Sequence, residues 1–267
     1  MMKKQRVLLI GAGRMAQAVI AGLVKMNSTS LEQIIVTNNG NKQRLQSVTD
    51  NYHVVAANNW RDEIKQVDVI VLAMPPQAHD ELLRELSSYV NGQLIITVAA
   101  GIGPSYMEER LPEGTPVAWI MPNTAAMIGE SMSLYTVGKW VNSQHQLVLE
   151  LVLKGIGQSQ LCTEEEVHHL TAITGSAPAF LYYFSESLID SAKKYGVEED
   201  VAKQLVIQMI HGSSLMLKKE GNPTSLREQV TTPGGATAEG LNVMNNYHFL
   251  KMMEEAIDAT NKKAMGK

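Results

Sequence analysis

The sequence of 267 residues has one cysteine (Cys162), only 5% aromatic residues and no apolar run near the roughly 20 residues of a membrane-spanning helix. One cysteine excludes an internal disulfide and fits a reducing compartment. The formal net charge of −4 gives no electrostatic reason to expect nucleic acid or an anionic membrane as a partner. The N-terminus is basic and then apolar, but the apolar run over residues 7–10 is too short for a signal peptide. These shortages indicate a cytoplasmic globular protein.

The first part of the sequence alternates two periodic patterns. Apolar segments rich in Val and Ile predict strands at residues 6–10, 33–37, 67–73, 93–98, 116–121 and 132–137. Helical patterns occupy residues 15–25, 42–48 and 78–89. This alternation predicts an α/β fold of the Rossmann type, with a parallel sheet wrapped by helices. The later strands follow one another without long helices, so an antiparallel edge is also compatible with the pattern.

The pattern changes near Cys162, after which the sequence predicts only helices. They lie at residues 176–196, 198–220 and 246–262. One stripe of the first helix carries Phe180, Tyr183, Phe184 and Leu188, and Ser187 and Ser191 form a small-residue face. We therefore predict a dinucleotide-binding domain at residues 1–162 and an all-α domain at residues 163–267. About a hundred residues make a small core, so we expect these helices to form a homodimer.

The stretch "LLIGAGRMAQAV", residues 8–19, joins a strand to a helix through Gly-x-Gly-x-x-Ala. Gly11 permits the sharp turn, Gly13 lets backbone N–H groups approach a pyrophosphate, and Ala16 keeps helix and strand close. The positive end of the helix would face the phosphates. A tight turn that happens to contain two glycines is the alternative, but the flanking strand and helix favour a dinucleotide site. Its first candidate contacts are Gly11, Ala12, Gly13, Arg14, Met15 and Ala16.

The second strand ends without the acidic residue that an NAD site places on the ribose 2′-hydroxyl. Residues 33–49 contain no Asp or Glu. Amide groups and cations lie there instead, on Asn38, Asn39, Lys42 and Arg44, and this combination suits a 2′-phosphate. The alternative is a polar solvated loop. The sequence thus favours NADPH as cofactor, with NADH compatible but less favoured.

Four further stretches point to one family. They are "VAAGI" at residues 98–102, "MPNTAAMIGESM" at 121–132, "TGSAPAFLYYFSESLIDSA" at 174–192 and "TTPGGATAEGL" at 231–241. With these motifs the sequence resembles the pyrroline-5-carboxylate reductases, over essentially its whole length. The resemblance implies NADPH-dependent reduction of the C=N bond of 1-pyrroline-5-carboxylate to L-proline, the last step of proline biosynthesis. It also implies a helical domain that interlocks with its twin, a site completed by the partner, and dimers that can assemble further, often into rings.

The glycine-rich bend at residues 229–237 is the candidate substrate clamp. Pro233, Gly234 and Gly235 allow a turn with exposed N–H groups, which can hold a carboxylate. By the resemblance, Thr237 lies near the imine nitrogen and Glu220 orients it. The other candidate substrate contacts are Gln229, Val230, Thr231, Thr232 and Ala236. The alternatives are an ordinary helix-capping turn for the bend and a solvated helix end for Glu220.

More candidate cofactor contacts follow other strands. Small residues at Ala99, Ala100 and Gly101 leave room for a flat ring, and Pro122 and Asn123 should lie beneath the nicotinamide. The Asn123 amide suits either the carboxamide or a structural bond to its own loop, and close packing alone is a further alternative. Near the adenosine or pyrophosphate, the candidates are Asn59, Ala73, Met74 and Pro75.

Three positions depart from the family pattern. Pro75 stands where the family usually has lysine, Trp119 where it has arginine, and Ala125 where it has proline. The first change removes a cation near the cofactor, and the second could alter strand anchoring or subunit contact. We interpret the chain as a divergent reductase.

Two other functions are alternatives to this interpretation. A β-hydroxyacid dehydrogenase needs a catalytic lysine, but Lys193 and Lys194 lie late on their helix. A non-catalytic NADPH-binding relative with a regulatory or scaffold role has only the three departures in its support. No metal is expected, because the adjacent His168 and His169 would point to different faces of a helix.

Overall fold

The computed structural model describes residues 4–26 and 30–264. Packing divides the chain into two compact units. One comprises Met1–Ser176 together with Asn261–Lys267, and the other comprises Ala177–Thr260.

The first unit is built on a sheet of eight strands in the order β3-β2-β1-β4-β5-β6-β7-β8. The strands are β1 (Gln5–Ile10), β2 (Leu31–Thr37), β3 (Val55–Ala56), β4 (Val69–Leu72), β5 (Leu94–Thr97), β6 (Val117–Met121), β7 (Ser131–Val137) and β8 (Gly157–Leu161). All neighbours pair in parallel except β6 and β7, which are antiparallel. The predicted Rossmann-type parallel sheet is confirmed, and the sheet does contain an antiparallel pair.

Helices cover both faces of this sheet. They are α1 (Arg14–Met26), α2 (Lys42–Tyr52), α3 (Trp60–Glu63), α4 (His79–Leu86), α5 (Pro104–Glu108), α6 (Ser143–Ile156) and α7 (Glu164–Thr171). Apolar side chains of α1 and α6 fill the core on one face. Trp60, Ile64, Leu83 and Leu86, from and beside α3 and α4, fill the core on the other. Every residue of β4 and β5 is buried, which explains their unbroken apolar sequences.

Helix α6, which lies beyond the last predicted strand together with β8, was not predicted. Its signals are present in the sequence: Asn142 and His145 form a capping box, and Val148, Leu149, Val152 and Leu153 recur at helical spacing. The helix crosses α1 closely, because a Cβ added to Gly22 would overlap the backbone of Gly155. Only two glycines facing each other permit this approach.

The second unit contains helices throughout its length. They are α8 (Ala177–Lys194), α9 (Glu199–Glu220), α10 (Pro223–Gln229), α11 (Ala236–Asn246) and most of α12 (Phe249–Ala264). Gly221, in the left-handed conformation, is the C-cap of α9 and donates its N–H to Leu217 O. No residue of α8, α10 or α11 is buried. Among the described helices, none is long and apolar enough to cross a bilayer.

Packing and composition divide the chain at different places. The change in composition predicted a boundary at residue 162, but α7 lies beyond it and packs on β7 through Val167, which joins Trp119 and Leu134 in one cluster. The end of α12 also belongs to the first unit. Asn261 donates to His169 O at 2.7 Å and accepts from Ala172 N at 3.3 Å. By packing, therefore, the helical unit begins at Ala177.

Candidate cofactor and substrate sites

The glycine-rich turn after β1 contains two glycines with different roles. Gly11 has φ +117°, and a Cβ there would lie 2.5 Å from the carbonyl oxygen of Ala73. Gly11 is therefore required by the fold itself. Gly13 has no atom within 4 Å of an added Cβ, so nothing in the folded chain demands a glycine at that position. Ala16 is fully buried against the sheet. The open space at Gly13 is what a pyrophosphate at the start of α1 would need.

A cavity of about 630 Å³ at the carboxyl ends of the strands brings several predicted residues together. Asn38, Asn39, Lys42, Asn59 and Met74 all line it, together with residues that were not predicted. Arg44 does not line it and instead lies in the first turn of α2, where its backbone N–H donates to Asn41 Oδ1 at 2.9 Å. The cavity lies where a Rossmann fold holds the adenosine half of a dinucleotide.

Arg61 is a cavity residue that the sequence did not reveal. Its guanidinium lies over the ring of Trp60 at 4.6 Å, donates to Asn59 Oδ1 at 3.0 Å and forms an ion pair with Glu85. Asn59 also caps α3 by accepting from Arg61 N. Because Trp60 and Glu85 also line the cavity, a cation, an aromatic ring and an amide meet at one wall. Only the fold brings Glu85 to Arg61, so no local motif could have shown this arrangement.

His79 connects the loops that follow β4 and β5. Its side chain is fully buried, with Nδ1 3.1 Å from Pro75 O and Nε2 2.9 Å from Thr97 Oγ1. A carbonyl only accepts, so Nδ1 carries the proton and Nε2 accepts from the Thr97 hydroxyl. Thr97 Oγ1 in turn accepts from Ala99 N at 3.2 Å. Desolvation by burial lowers the pKa of His79, against the opposing effect of the backbone bonds at Pro75 and Pro76, and so favours this neutral ring.

The bridge of His79 ties together two predicted cofactor segments. The first segment is residues 73–75, which ends at Pro75, and the second is residues 99–101, which begins at Ala99. Ala99 is buried, and Gly101 adopts φ +77°. The loop after β5 therefore holds a conformation that needs glycine at its centre.

The Met-Pro-Asn-Thr segment after β6 contacts the Thr-Gly-Ser segment before α8. Asn123 Nδ2 donates to Thr174 O at 2.9 Å, and its Oδ1 accepts from Ala125 N at 3.0 Å. A Cβ on Gly175 would lie 3.3 Å from Met121 Cε. Residues Ala172–Ser176 form a π-helix at this contact. Of the two roles considered for the Asn123 amide, the structure shows the structural bond. Such π-helical turns are frequent at functional sites.

Two of the family departures acquire physical explanations. Ala125 donates its N–H to Asn123, a bond that proline could not make. Trp119 is fully buried and packs against the ring of His168 at a centroid distance of 4.8 Å. Its Nε1 has no hydrogen-bond partner among the described residues. A large aromatic ring thus anchors this strand to α7 by packing. Pro75 keeps its backbone function as acceptor for His79.

The bend before α11, in the second unit, has free backbone donors. Gly234 has φ +70°, and Gly235 is the N-cap of α11 without any side-chain cap. Thr237 lies in the first turn of this 11-residue helix and is exposed, as is Ala236. The first N–H groups of an uncapped helix are suited to hold a carboxylate.

The side chains around this bend are connected to one another. Gln229 Nε2 donates to Glu220 Oε2 at 3.2 Å and to Ser225 Oγ at 3.3 Å. Thr231 Oγ1 donates to Arg227 O at 2.6 Å, and Gly235 N donates to Thr232 O at 2.9 Å. Val230 is exposed. The predicted acid Glu220 therefore holds Gln229, which is itself a predicted substrate contact.

A Rossmann-type sheet with a glycine turn, followed by a helical unit with exposed apolar faces, is an arrangement typical of NAD(P)-dependent oxidoreductases. Family models agree with this class. Residues 164–266 match the model described as "Pyrroline-5-carboxylate reductase dimerisation". Residues 6–101 match a second model, described as "NADP oxidoreductase coenzyme F420-dependent".

Individual relatives identify the family. The chain is 32% identical to pyrroline-5-carboxylate reductase 1 of Bacillus spizizenii, over 98% of this chain and 89% of that one. It superposes on the NADP-bound pyrroline carboxylate reductase of Plasmodium falciparum with a TM-score of 0.88, 27% identity and coverage of 100% and 99%. It superposes on the 1-pyrroline-5-carboxylate reductase of Streptococcus pyogenes with a TM-score of 0.89 and 27% identity, over 99% of each chain. The chain belongs to the pyrroline-5-carboxylate reductase family.

Proposed function

We propose that the chain reduces the C=N bond of 1-pyrroline-5-carboxylate to L-proline with NADPH, as the last step of proline biosynthesis. The observation that carries this proposal is the turn at Gly13, open where a cofactor phosphate would lie, in a chain related to reductases along its whole length. Bound NADPH supplies a hydride from C4 of its nicotinamide ring. The protein's own task is then to orient the two reactants and to polarise the imine.

In this proposal the first unit holds the cofactor at the carboxyl ends of its strands. The turn at residues 11–16 binds the pyrophosphate, and Asn38, Asn39 and Lys42 receive the 2′-phosphate. The loop at residues 73–75 lies along the pyrophosphate and the loop at residues 99–101 lies against the nicotinamide, and His79 joins the two loops. Arg61 adds a cation to the adenosine wall once its pairing with Glu85 relaxes.

The second unit provides the substrate groups. The first N–H groups of α11, directly after the bend at Gly234 and Gly235, bind the carboxylate, and the Thr237 hydroxyl hydrogen-bonds the imine nitrogen. A protonated or strongly hydrogen-bonded imine is the better hydride acceptor, because negative charge would otherwise develop on nitrogen. Glu220 positions the bend through Gln229. No metal and no covalent nucleophile are required.

The protein acts as a homodimer formed through its helical region, in the cytoplasm, and its dimers can assemble further into rings. The helices whose apolar side chains lie exposed support this assembly. Leu205 of α9 is 58% exposed, and Tyr183 of α8 is 76% exposed.

Steady-state oxidation of NADPH in the presence of 1-pyrroline-5-carboxylate tests the proposal. We expect saturable turnover for the wild type and for Thr237→Ser, which keeps the hydroxyl. Thr237→Val has nearly the same shape but no hydroxyl, and we expect kcat to fall by about 100-fold, the usual range for loss of one acid–base or polarising group. NADPH binding without any turnover in the wild type would instead support the non-catalytic alternative. Full activity of Thr237→Val would remove Thr237 from the site.

A further inference from the structure

Glu164, the first residue of α7, contacts the N-terminus of α5 rather than only solvent. Its Oε1 accepts from Ser105 Oγ at 2.6 Å, and its Oε2 accepts from Ser105 N at 3.1 Å. The carboxylate is only partly exposed and is engaged at both oxygens by one residue. Such charge-assisted bonds are short and among the stronger ones in proteins.

The same carboxylate fills the space beside Gly103. A Cβ added to Gly103 would overlap Glu164 Oε1, Cδ and Cγ. Gly103 is buried and has φ −85°, an ordinary conformation that alanine also adopts. A side chain at residue 103 would therefore have to displace the Glu164 carboxylate, although the backbone conformation would accept it.

These contacts fix one end of the short loop at residues 98–103, which joins β5 to α5. The other end is held where Ala99 N donates to Thr97 Oγ1, itself bonded to His79. Between the two anchors lie residues 99–101, with Gly101 at φ +77°. A loop of this length, held at both ends, has little freedom to move at its centre.

We propose that Glu164 is a positioning residue for the nicotinamide end of the cofactor, acting through the loop at residues 98–103. The inference rests on the proposed function, in which residues 99–101 lie against the nicotinamide ring. Glu164 itself touches no cofactor atom in this proposal. It stabilises the loop conformation that receives the ring, so its loss should weaken contacts to the nicotinamide half only.

The test compares two ligands by calorimetry on the full-length protein: NADPH, and 2′-phospho-ADP-ribose, which lacks the nicotinamide. For Glu164→Ala we expect about tenfold weaker NADPH binding, from loss of two charge-assisted hydrogen bonds that order the loop. Affinity for 2′-phospho-ADP-ribose should stay within about twofold, since it makes no contact with this loop. Glu164→Gln should restore most of the NADPH affinity, because its amide can accept from Ser105 N and donate to Ser105 Oγ. Glu165→Ala removes the neighbouring exposed carboxylate and should bind both ligands like the wild type.

A double-mutant cycle gives a second, independent reading. Gly103→Ala in the wild-type background should displace the carboxylate and weaken NADPH binding to a similar extent as Glu164→Ala. In the Glu164→Ala background the added methyl group no longer meets a carboxylate. There, Gly103→Ala should weaken NADPH binding by less than a further factor of about two. Thermal melts identify any variant that is unfolded. If Glu164→Ala is unfolded, the inference is tested with Glu164→Gln and with the double-mutant cycle at a lower temperature.

Three results, in a wild type that binds NADPH, would overturn the inference and leave the proposed function intact. One is equal weakening of both ligands by Glu164→Ala, another is no weakening of either, and the third is a Gly103→Ala effect independent of residue 164. A wild type that does not bind NADPH would overturn the proposed function itself, and this inference with it. A wild type that binds NADPH while Glu164→Ala behaves like Glu165→Ala would overturn the inference alone.

Discussion

The two units of the molecule differ in how far they bury their apolar residues. In the first unit, β4 and β5 are buried at every residue, and helices on both faces complete the core. In the second unit, α8 buries none of its residues, and Phe184 is 43% exposed. The first unit therefore has a core of its own, whereas the second presents apolar surface that the proposed homodimer would cover. The two units thus differ in whether their apolar residues pack inside the chain or lie free to contact a partner.

The largest expected effect comes from breaking the partner surface. Phe184→Glu places a charge on the exposed stripe of α8, and burying that charge in a dimer would cost several kcal/mol. We expect a monomer in analytical ultracentrifugation at micromolar concentration and loss of nearly all reductase activity. Lys194→Glu introduces the same charge in the last turn of α8 and should leave the dimer intact. A Phe184→Glu protein that stays dimeric would show that this face is not the interface.

The next effect separates a glycine kept for a ligand from one kept for packing. Gly13→Val should weaken NADPH binding by at least about 100-fold while leaving thermal stability nearly unchanged, because no protein atom lies within 4 Å of its Cβ. Gly22→Val should do the reverse and lower the free energy of unfolding by about 3 kcal/mol, because α1 and α6 must separate.

Calorimetric titration and thermal melts of both variants measure this contrast. Unchanged NADPH affinity in Gly13→Val would refute the assignment of the turn at Gly13 as the pyrophosphate site. Unchanged stability in Gly22→Val would refute the close helix crossing.

A smaller effect concerns the pH dependence of the first unit. Burial lowers the pKa of His79, so the unfolded chain takes up a proton below about pH 6.5 that the folded chain refuses. The free energy of unfolding should therefore fall as pH drops below 6.5, by up to about 1.4 kcal/mol per pH unit, until the folded-state pKa is reached. Above pH 6.5 the contribution is constant.

Urea unfolding of the wild type and His79→Gln at fixed protein concentration, between pH 5 and pH 8, isolates this effect. The variant lacks the titrating group, so the difference between the two proteins should change with pH only below pH 6.5. A difference that is flat across the range would show that His79 is not held neutral in the fold.

The sequence was most informative where structure is local. The turn at Gly11 and the strands β1, β2 and β4 to β7 are encoded by neighbouring residues and lie where predicted, whereas β3 and β8 were not predicted. The helix α6 had a readable cap at Asn142, but its role depends on meeting Gly22 from far along the chain.

The groups that the sequence did not reveal are those whose partners are distant along the chain. His79 meets Thr97, Arg61 meets Glu85, and Glu164 meets Ser105 only because the sheet brings their elements together. None of these pairs has a spacing that a single sequence could mark. The family motifs predicted Asn123 as a site residue, but its bond to Thr174 depends on the fold and could not be predicted from the motif.

Isotope transfer tests the central claim most directly. NADPH carrying deuterium at C4 of the nicotinamide is incubated with the protein and 1-pyrroline-5-carboxylate, and the product is analysed by mass spectrometry. The account predicts proline with one deuterium at C5, formed in step with NADPH oxidation and absent with Gly13→Val. NADPH that binds tightly while no labelled proline forms would contradict it.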